Sequence, residues 1–191
     1  MLKFIDFKKP SFWYALASIL FNPTFWNIVA RQEYHNRLLT KLAGGNPRRG
    51  CYGLALTIFS LGIFRDYLYS QALSEQPVLP LLQTGMVKLV AAGLFLWGNI
   101  FVLSSMYALG VTGTYLGDYF GILMSHRVTG FPFNVSNNPM YQGSTMVFMA
   151  SALWYGTPAG ILLTAIVYLT YNVALRFEEP FTAMIYSKRK Q

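Results

Sequence analysis

The chain has 191 residues; 54% are hydrophobic, 17% aromatic and only 12% charged. Ordinary soluble domains carry about a quarter charged residues, and no polar block here is long enough to fold alone, so a separate soluble domain is excluded. The net charge of +8 sits in short segments between apolar runs, which points to anionic lipid headgroups and away from nucleic acid as the charged partner. The single cysteine, Cys51, excludes an internal disulfide and a cysteine-cluster metal site.

The opening MLKFIDFKKP lacks the order of a cleavable signal peptide. The first apolar stretch, residues 11–30, is interrupted at Asn22-Pro23. Proline removes a backbone donor and biases its predecessor away from helix, so this stretch reads as a kinked span or as two half-helices dipping into one leaflet. Residues 31–50, RQEYHNRLLTKLAGGNPRRG, carry five Lys/Arg and one Glu and read as an interfacial helix. The second apolar run, residues 51–64, spans if Arg65 and Asp66 lie near an interface. Two prolines make residues 71–85 a loop. Residues 89–111 contain no charge, and such a run reaches roughly 34 Å as a helix, enough to cross a bilayer core. Residues 112–145, rich in Gly, Asn, Pro and aromatics, form a long structured loop region, where function concentrates. Residues 146–175 are uncharged and too long for one comfortable span, and YGTPAG at 155–160 marks a break. The expected fold class is all-α: a single polytopic membrane helical bundle over 1–191. It comprises a kinked or re-entrant N-terminal part (1–50), a core of three to four further membrane helices (51–175) and a tail (176–191).

Carboxylates near a membrane are functional candidates by default. The pair Glu178-Glu179 ends the last apolar run, and an ordinary helix end disfavours acids there because of the macrodipole. Asp118 lies in the glycine- and aromatic-rich region and is a third candidate for acid–base work. His126-Arg127 lacks partners at metal-ligand spacing, so no metal site is expected. No phosphate-binding loop, nucleophile elbow or zinc-protease pattern occurs. In NNPMYQG, residues 137–143, Asn138-Pro139 forces a turn, Tyr141 presents a hydroxyl, and Gly143 permits close approach to the backbone.

Four segments, FNPTFWNIVARQEYH, VLSSMYALGVTGTYLGDYFGILM, VTGFPFNVSNNPMYQGST and EEPFTAMIY, together resemble the phosphatidylethanolamine N-methyltransferase family. Its fungal members, which act on methylated phosphatidylethanolamine, are the nearer match. The resemblance runs from about Phe21 to Tyr186. It implies an S-adenosylmethionine-dependent enzyme of the endoplasmic reticulum membrane. The implied substrate is a bilayer phospholipid, preferably the mono- or dimethyl form, and the implied product is phosphatidylcholine; the alternatives are a membrane methyltransferase for another acceptor, such as an isoprenylcysteine carboxyl, and an inactive lipid-binding scaffold. It also implies cofactor contacts at Glu178, Glu179, Asn138, Tyr141 and Gly143, and at the place of the family's Gly-x-Gly. That place reads Leu96-Trp97-Gly98 here, so Trp97 and Gly98 join the candidates while Leu96 departs from the pattern. One of Glu178, Glu179 or Asp118 is expected to take the proton from the amine. Tyr119, Phe120, Tyr141 and Tyr186 are candidates to surround the methylated ammonium. The cofactor site is expected to face the cytosol. With Gly98 entering from the start of its helix, the basic segment 31–49 falls at the opposite end, against the positive-inside rule.

Overall fold

A computed structural model describes residues 4–188, and it is helical, with no strand among the described residues. Six α-helices follow in order: α1 Pro10–Asn36, α2 Leu38–Leu42, α3 Pro47–Glu75, α4 Gly85–Thr114, α5 Pro139–Tyr155 and α6 Pro158–Lys188. Short 3-10 turns occupy Pro80–Gln83 and Gly117–Phe120. Helices α4 and α6 are long and apolar enough to cross a membrane. Helices α1 and α3, of 27 and 29 residues, each reach roughly 40 Å.

Three expectations need correction. The first apolar stretch is one continuous helix through Pro23, with no pair of half-helices. Proline deletes one helix hydrogen bond; beside it the buried Asn22 amide donates to the Leu61 carbonyl at 3.1 Å and ties α1 to α3. The loop expected over residues 71–85 begins only after Glu75, since α3 runs on through Arg65 and Asp66 to that residue. The expected tail does not begin at 176, since α6 continues unbroken to Lys188. Arg189 and Lys190 lie outside the described residues. The break in YGTPAG occurs as expected: Gly156 ends α5 with φ +70°, a left-handed conformation that suits glycine, and Pro158 opens α6.

The helices alternate in direction, which gives the bundle two ends. At one end Ser11 Oγ donates to Glu75 Oε2 at 2.9 Å and the Leu79 N–H donates to the Gly156 carbonyl at 2.9 Å. At the other, Arg31 donates to the Phe177 carbonyl at 2.8 Å and Lys188 donates to the Tyr34 hydroxyl at 3.2 Å. This second end gathers the basic segment, the 115–138 region and the Glu178-Glu179 pair. The conflict between charge and cofactor placement therefore disappears: Arg31–Arg49 and Glu178 share one end.

One core cluster, including Phe12, Leu73, Phe148, Leu163 and Tyr171, knits α1, α3, α5 and α6. A second, including Cys51, Tyr119, Phe120 and Ile185, seats the 3-10 turn at Gly117–Phe120 against α3 and α6. Helix α4 packs closely on α5 and only sparsely on α3. The tight contact depends on glycine. A Cβ at Gly98 would lie 2.6 Å from the Gly143 carbonyl oxygen, and one at Gly143 would lie 2.5 Å from the Gly98 carbonyl oxygen. Small residues let membrane helices approach this way.

Glu33 is the most buried acid, 1% exposed. Its carboxylate accepts from the N–H groups of Leu39 at 2.7 Å and Thr40 at 3.1 Å, and from the Thr40 hydroxyl. It caps α2 after Arg37 turns into the left-handed region at φ +52°. Each donor left buried and unpaired costs about 1–3 kcal/mol. Glu33→Ala is therefore expected to lower the midpoint of thermal unfolding in detergent micelles markedly, and an unchanged midpoint would refute the capping role.

Candidate active site

Pro139 occupies the first turn of α5, where its missing N–H costs nothing. Asn138 precedes it in a conformation that is neither helical nor extended, and its side chain makes no cap. The amide instead reaches across to α6, where Nδ2 donates to Glu179 Oε1 at 2.8 Å. Three residues on, the Tyr141 hydroxyl donates to Glu178 Oε2 at 2.7 Å. Adjacent helix residues diverge by about 100°, so the two glutamates serve different neighbours: Glu179 the start of α5, Glu178 the interior. Their place in α6 also answers the dipole objection. They lie ten and nine residues before the helix ends at Lys188, and Glu179 faces the favourable N-terminal end of α5. Pro180 follows at once inside the helix. The Arg31 guanidinium covers this stretch, bonding the Phe177 carbonyl and lying 5.0 Å over the Phe181 ring.

Glu178 and Tyr141 line a cavity of about 380 Å³, within the usual size for small-molecule sites. Trp26, Tyr115, Ser144 and Tyr171 add to its wall, together with the largely buried Arg65 and the exposed Asp66. Its apolar side is Ile58, Phe59 and Ile63 of α3 facing Val102, Met106 and Leu109 of α4. Here α3 and α4 pack only sparsely on each other, and Phe59 and Ile63 are left exposed. A second hollow of about 400 Å³ is lined by residues 133–138 and Gln142 and is polar. The two hollows share Phe133, Asn137 and Asn138. The polar hollow and the largely apolar cavity thus meet at the Asn138 turn, beside Glu178.

The sequence candidates divide. Asn138, Tyr141, Glu178 and Glu179 come together. Asp118 does not line the cavity; its Oδ2 accepts from the Thr182 hydroxyl at 3.0 Å, pinning the 3-10 turn to α6. Gly98 and Gly143 face each other across the α4–α5 crossing, so the close approach Gly143 permits is to a helix backbone. Trp97 lies on the outer face, 57% exposed. Of the expected aromatic set only Tyr141 reaches the cavity. Tyr119 stacks on Phe181 with centroids 5.1 Å apart, Phe120 is buried in the second core, and the Tyr186 hydroxyl accepts from the Met124 N–H at 3.2 Å. Trp26 and Tyr171 take their places, with centroids 6.5 Å and 5.0 Å from Tyr141. Arg65, Asp66 and Thr114 were not singled out for the site. The interruption of an apolar helix by a charged pair was the available signal.

The family profile of phospholipid methyltransferases matches residues 86–189. The chain is 60% identical to phosphatidyl-N-methylethanolamine N-methyltransferase of Saccharomyces cerevisiae, over 97% of this chain and 89% of that one. It is 56% identical to the protein of the same name from Neurospora crassa, over 99% and 88% of the two chains. Against human phosphatidylethanolamine N-methyltransferase the identity is 47%, over 99% and 94%. The chain belongs to the phospholipid methyltransferase family. No solved structure matches it.

Proposed function

We propose that the chain transfers methyl groups from S-adenosylmethionine to the headgroup amine of phosphatidylethanolamine derivatives. Mono- and dimethyl forms are the preferred acceptors, and phosphatidylcholine is the end product. The observation that carries this reading is the meeting of the polar hollow and the cavity between α3 and α4 at Phe133, Asn137 and Asn138, next to the Tyr141–Glu178 hydrogen bond. A water-soluble donor and a lipid acceptor need two such entrances and one junction.

The donor set fits the cofactor. Glu179 and Asn138 offer an acceptor and an amide for ribose hydroxyls, Glu178 offers a carboxylate for a cationic centre, and the Thr114 hydroxyl in the cavity wall has no partner within the protein. When bound, the cofactor supplies an electrophilic methyl on a sulfonium. The chain's residues do the rest. Glu178 accepts the proton of the substrate ammonium, without which the nitrogen has no lone pair to attack. Tyr141 holds Glu178 in place through its hydroxyl. Trp26, Tyr141 and Tyr171 present ring faces that favour a methylated cation over water. Gly98 and Gly143 act on the site through the helix crossing, and Trp97 stays outside it. Fixing donor and acceptor in line contributes much of the remaining rate.

Arg31, Arg37, Lys41, Arg48 and Arg49 flank the site's end of the bundle, which the positive-inside rule assigns to the cytosol, where the donor is made. The reading is a multi-pass protein of the endoplasmic reticulum membrane with the cofactor opening cytosolic.

The test is transfer of labelled methyl from S-adenosylmethionine to phosphatidylethanolamine and its mono- and dimethyl forms in detergent–lipid micelles. Label in phosphatidylcholine supports the reading. Label only in a prenylated cysteine carboxyl ester, with none in any phospholipid, refutes it. Tyr141→Phe keeps the ring and deletes the bond to Glu178. It is expected to lower kcat roughly tenfold to a hundredfold, as for a hydrogen bond to a charged group; an unchanged kcat removes the hydroxyl from the mechanism.

A further inference from the structure

Arg65 is a cation well inside a long helix of the bundle, with its side chain only 11% exposed. Charges at such depth are costly and mark function. The guanidinium has five N–H donors. Nε and Nη2 donate to Asp66 Oδ1 at 3.0 and 2.8 Å, and Nη1 donates to the Tyr171 hydroxyl at 2.8 Å. The Phe148 ring covers the guanidinium carbon at 4.8 Å. Two N–H groups remain, one on each terminal nitrogen, in a residue that lines the cavity. The Thr114 hydroxyl, also in the cavity wall, is unpartnered as well. The cavity therefore holds unused donors and, apart from Arg65, no other cationic side chain.

We propose that Arg65 recognises the phosphodiester of the acceptor lipid, its two free N–H groups taking the non-bridging oxygens while the amine points toward Glu178. The proposal rests on the methyl-transfer reading above. Its geometry comes from Tyr171, which binds Arg65 on one side and stands ring to ring with Tyr141 at 5.0 Å on the other. Glu178 lies two turns, roughly 10 Å, further along α6 than Tyr171. A two-carbon bridge joins phosphate to amine, so a phosphate at Arg65 directs the amine along the Tyr171–Tyr141 faces to the carboxylate. The acyl chains leave between α3 and α4, where Asp66, 61% exposed, holds the guanidinium at the mouth. The other anionic group in the reaction is the carboxylate of the donor. The polar hollow that suits the donor lies beyond Asn138, while Arg65 stands on the membrane-open side, which favours the lipid.

The experiment measures methylation of two acceptors by the full chain in mixed micelles: dioleoyl phosphatidyl-N,N-dimethylethanolamine and the phosphate-free amine lipid dioleyloxy-dimethylaminopropane. Dioleoyl phosphatidylglycerol and dioleoylglycerol serve as inhibitors. The wild type is expected to prefer the phosphodiester acceptor, and phosphatidylglycerol is expected to compete with it while dioleoylglycerol does not. Arg65→Lys keeps the charge and loses the fork. It is expected to raise KM for the phospholipid roughly tenfold to a hundredfold, with the phosphate-free acceptor and the affinity for S-adenosylhomocysteine unchanged. Equal loss toward both acceptors overturns the proposal. So does a fall in S-adenosylhomocysteine affinity with the acceptor ratio intact, which would turn the guanidinium toward the donor. The wild-type arms decide the matter even if the variant fails to fold. Equal use of both acceptors by the wild type removes Arg65's role and leaves methyl transfer standing, whereas methylation of neither removes both.

Discussion

Glu178→Gln is expected to lower kcat/KM for the phospholipid acceptor by roughly a hundredfold to ten-thousandfold, the range for loss of a positioned general base. Glutamine keeps the carbonyl that accepts from Tyr141, whose hydroxyl now sits 2.7 Å from Glu178 Oε2. The fold and the α5–α6 contact are therefore retained while proton acceptance is lost. Glu179→Gln gives a different signature. Glu179 bonds the Asn138 amide and does not line the cavity, so its loss is expected to raise KM for the donor and to change kcat much less. The measurement is the split between kcat and the two KM values, with S-adenosylhomocysteine affinity taken by calorimetry. A Glu178→Gln enzyme with normal kcat and lost S-adenosylhomocysteine binding would make Glu178 a cofactor ligand and send the search for the base elsewhere.

The helices themselves were legible because uncharged runs of membrane length have few other uses. Pro158 and Gly156 announced the α5–α6 break through fixed φ on one side and a left-handed turn on the other. What sequence reading could not supply was the fate of polar residues whose partners are distant in the chain. Asn22 reads as a helix breaker beside Pro23 until Leu61 is seen to accept its amide. Asp118 looks as functional as Glu178, since both are acids near glycine and aromatics. Only the tertiary structure gives one a threonine partner and the other a cavity. Arg65-Asp66 was read as an interface marker because hydropathy averages over a helix and does not report which face a charge lies on. The Asn138-to-Tyr141 turn and the glutamate pair were found by motif, and their bonds, 41 and 37 residues apart in sequence, show why the two segments occur together.

The glycine motif in α4 yields the second large expectation. Gly143→Ala is expected to destabilise the bundle by about 1–3 kcal/mol, as overpacking does, and to lower activity by an order of magnitude or more. The new Cβ would sit 2.5 Å from the Gly98 carbonyl oxygen and 2.8 Å from Phe101 Cβ. A backbone oxygen cannot rotate away, so α5 must move off α4. Asn138 and Tyr141 ride on the first turn of α5, and a shift of about 1 Å in positioning groups costs on the order of a hundredfold in rate. Gly98→Ala meets the Gly143 oxygen at 2.6 Å from the other side and is expected to behave alike. Leu96→Gly restores the family's first glycine at a position 61% exposed on the outer face. It is expected to leave donor KM unchanged, with only the ~1 kcal/mol that glycine costs a helix. Thermal midpoint and donor KM, read together, separate two roles for this motif. Packing lowers the midpoint for Gly98→Ala and Gly143→Ala along with activity. Direct cofactor contact instead raises donor KM for Gly98→Ala and lowers it for Leu96→Gly with the midpoint held, and that result would move the donor site onto α4.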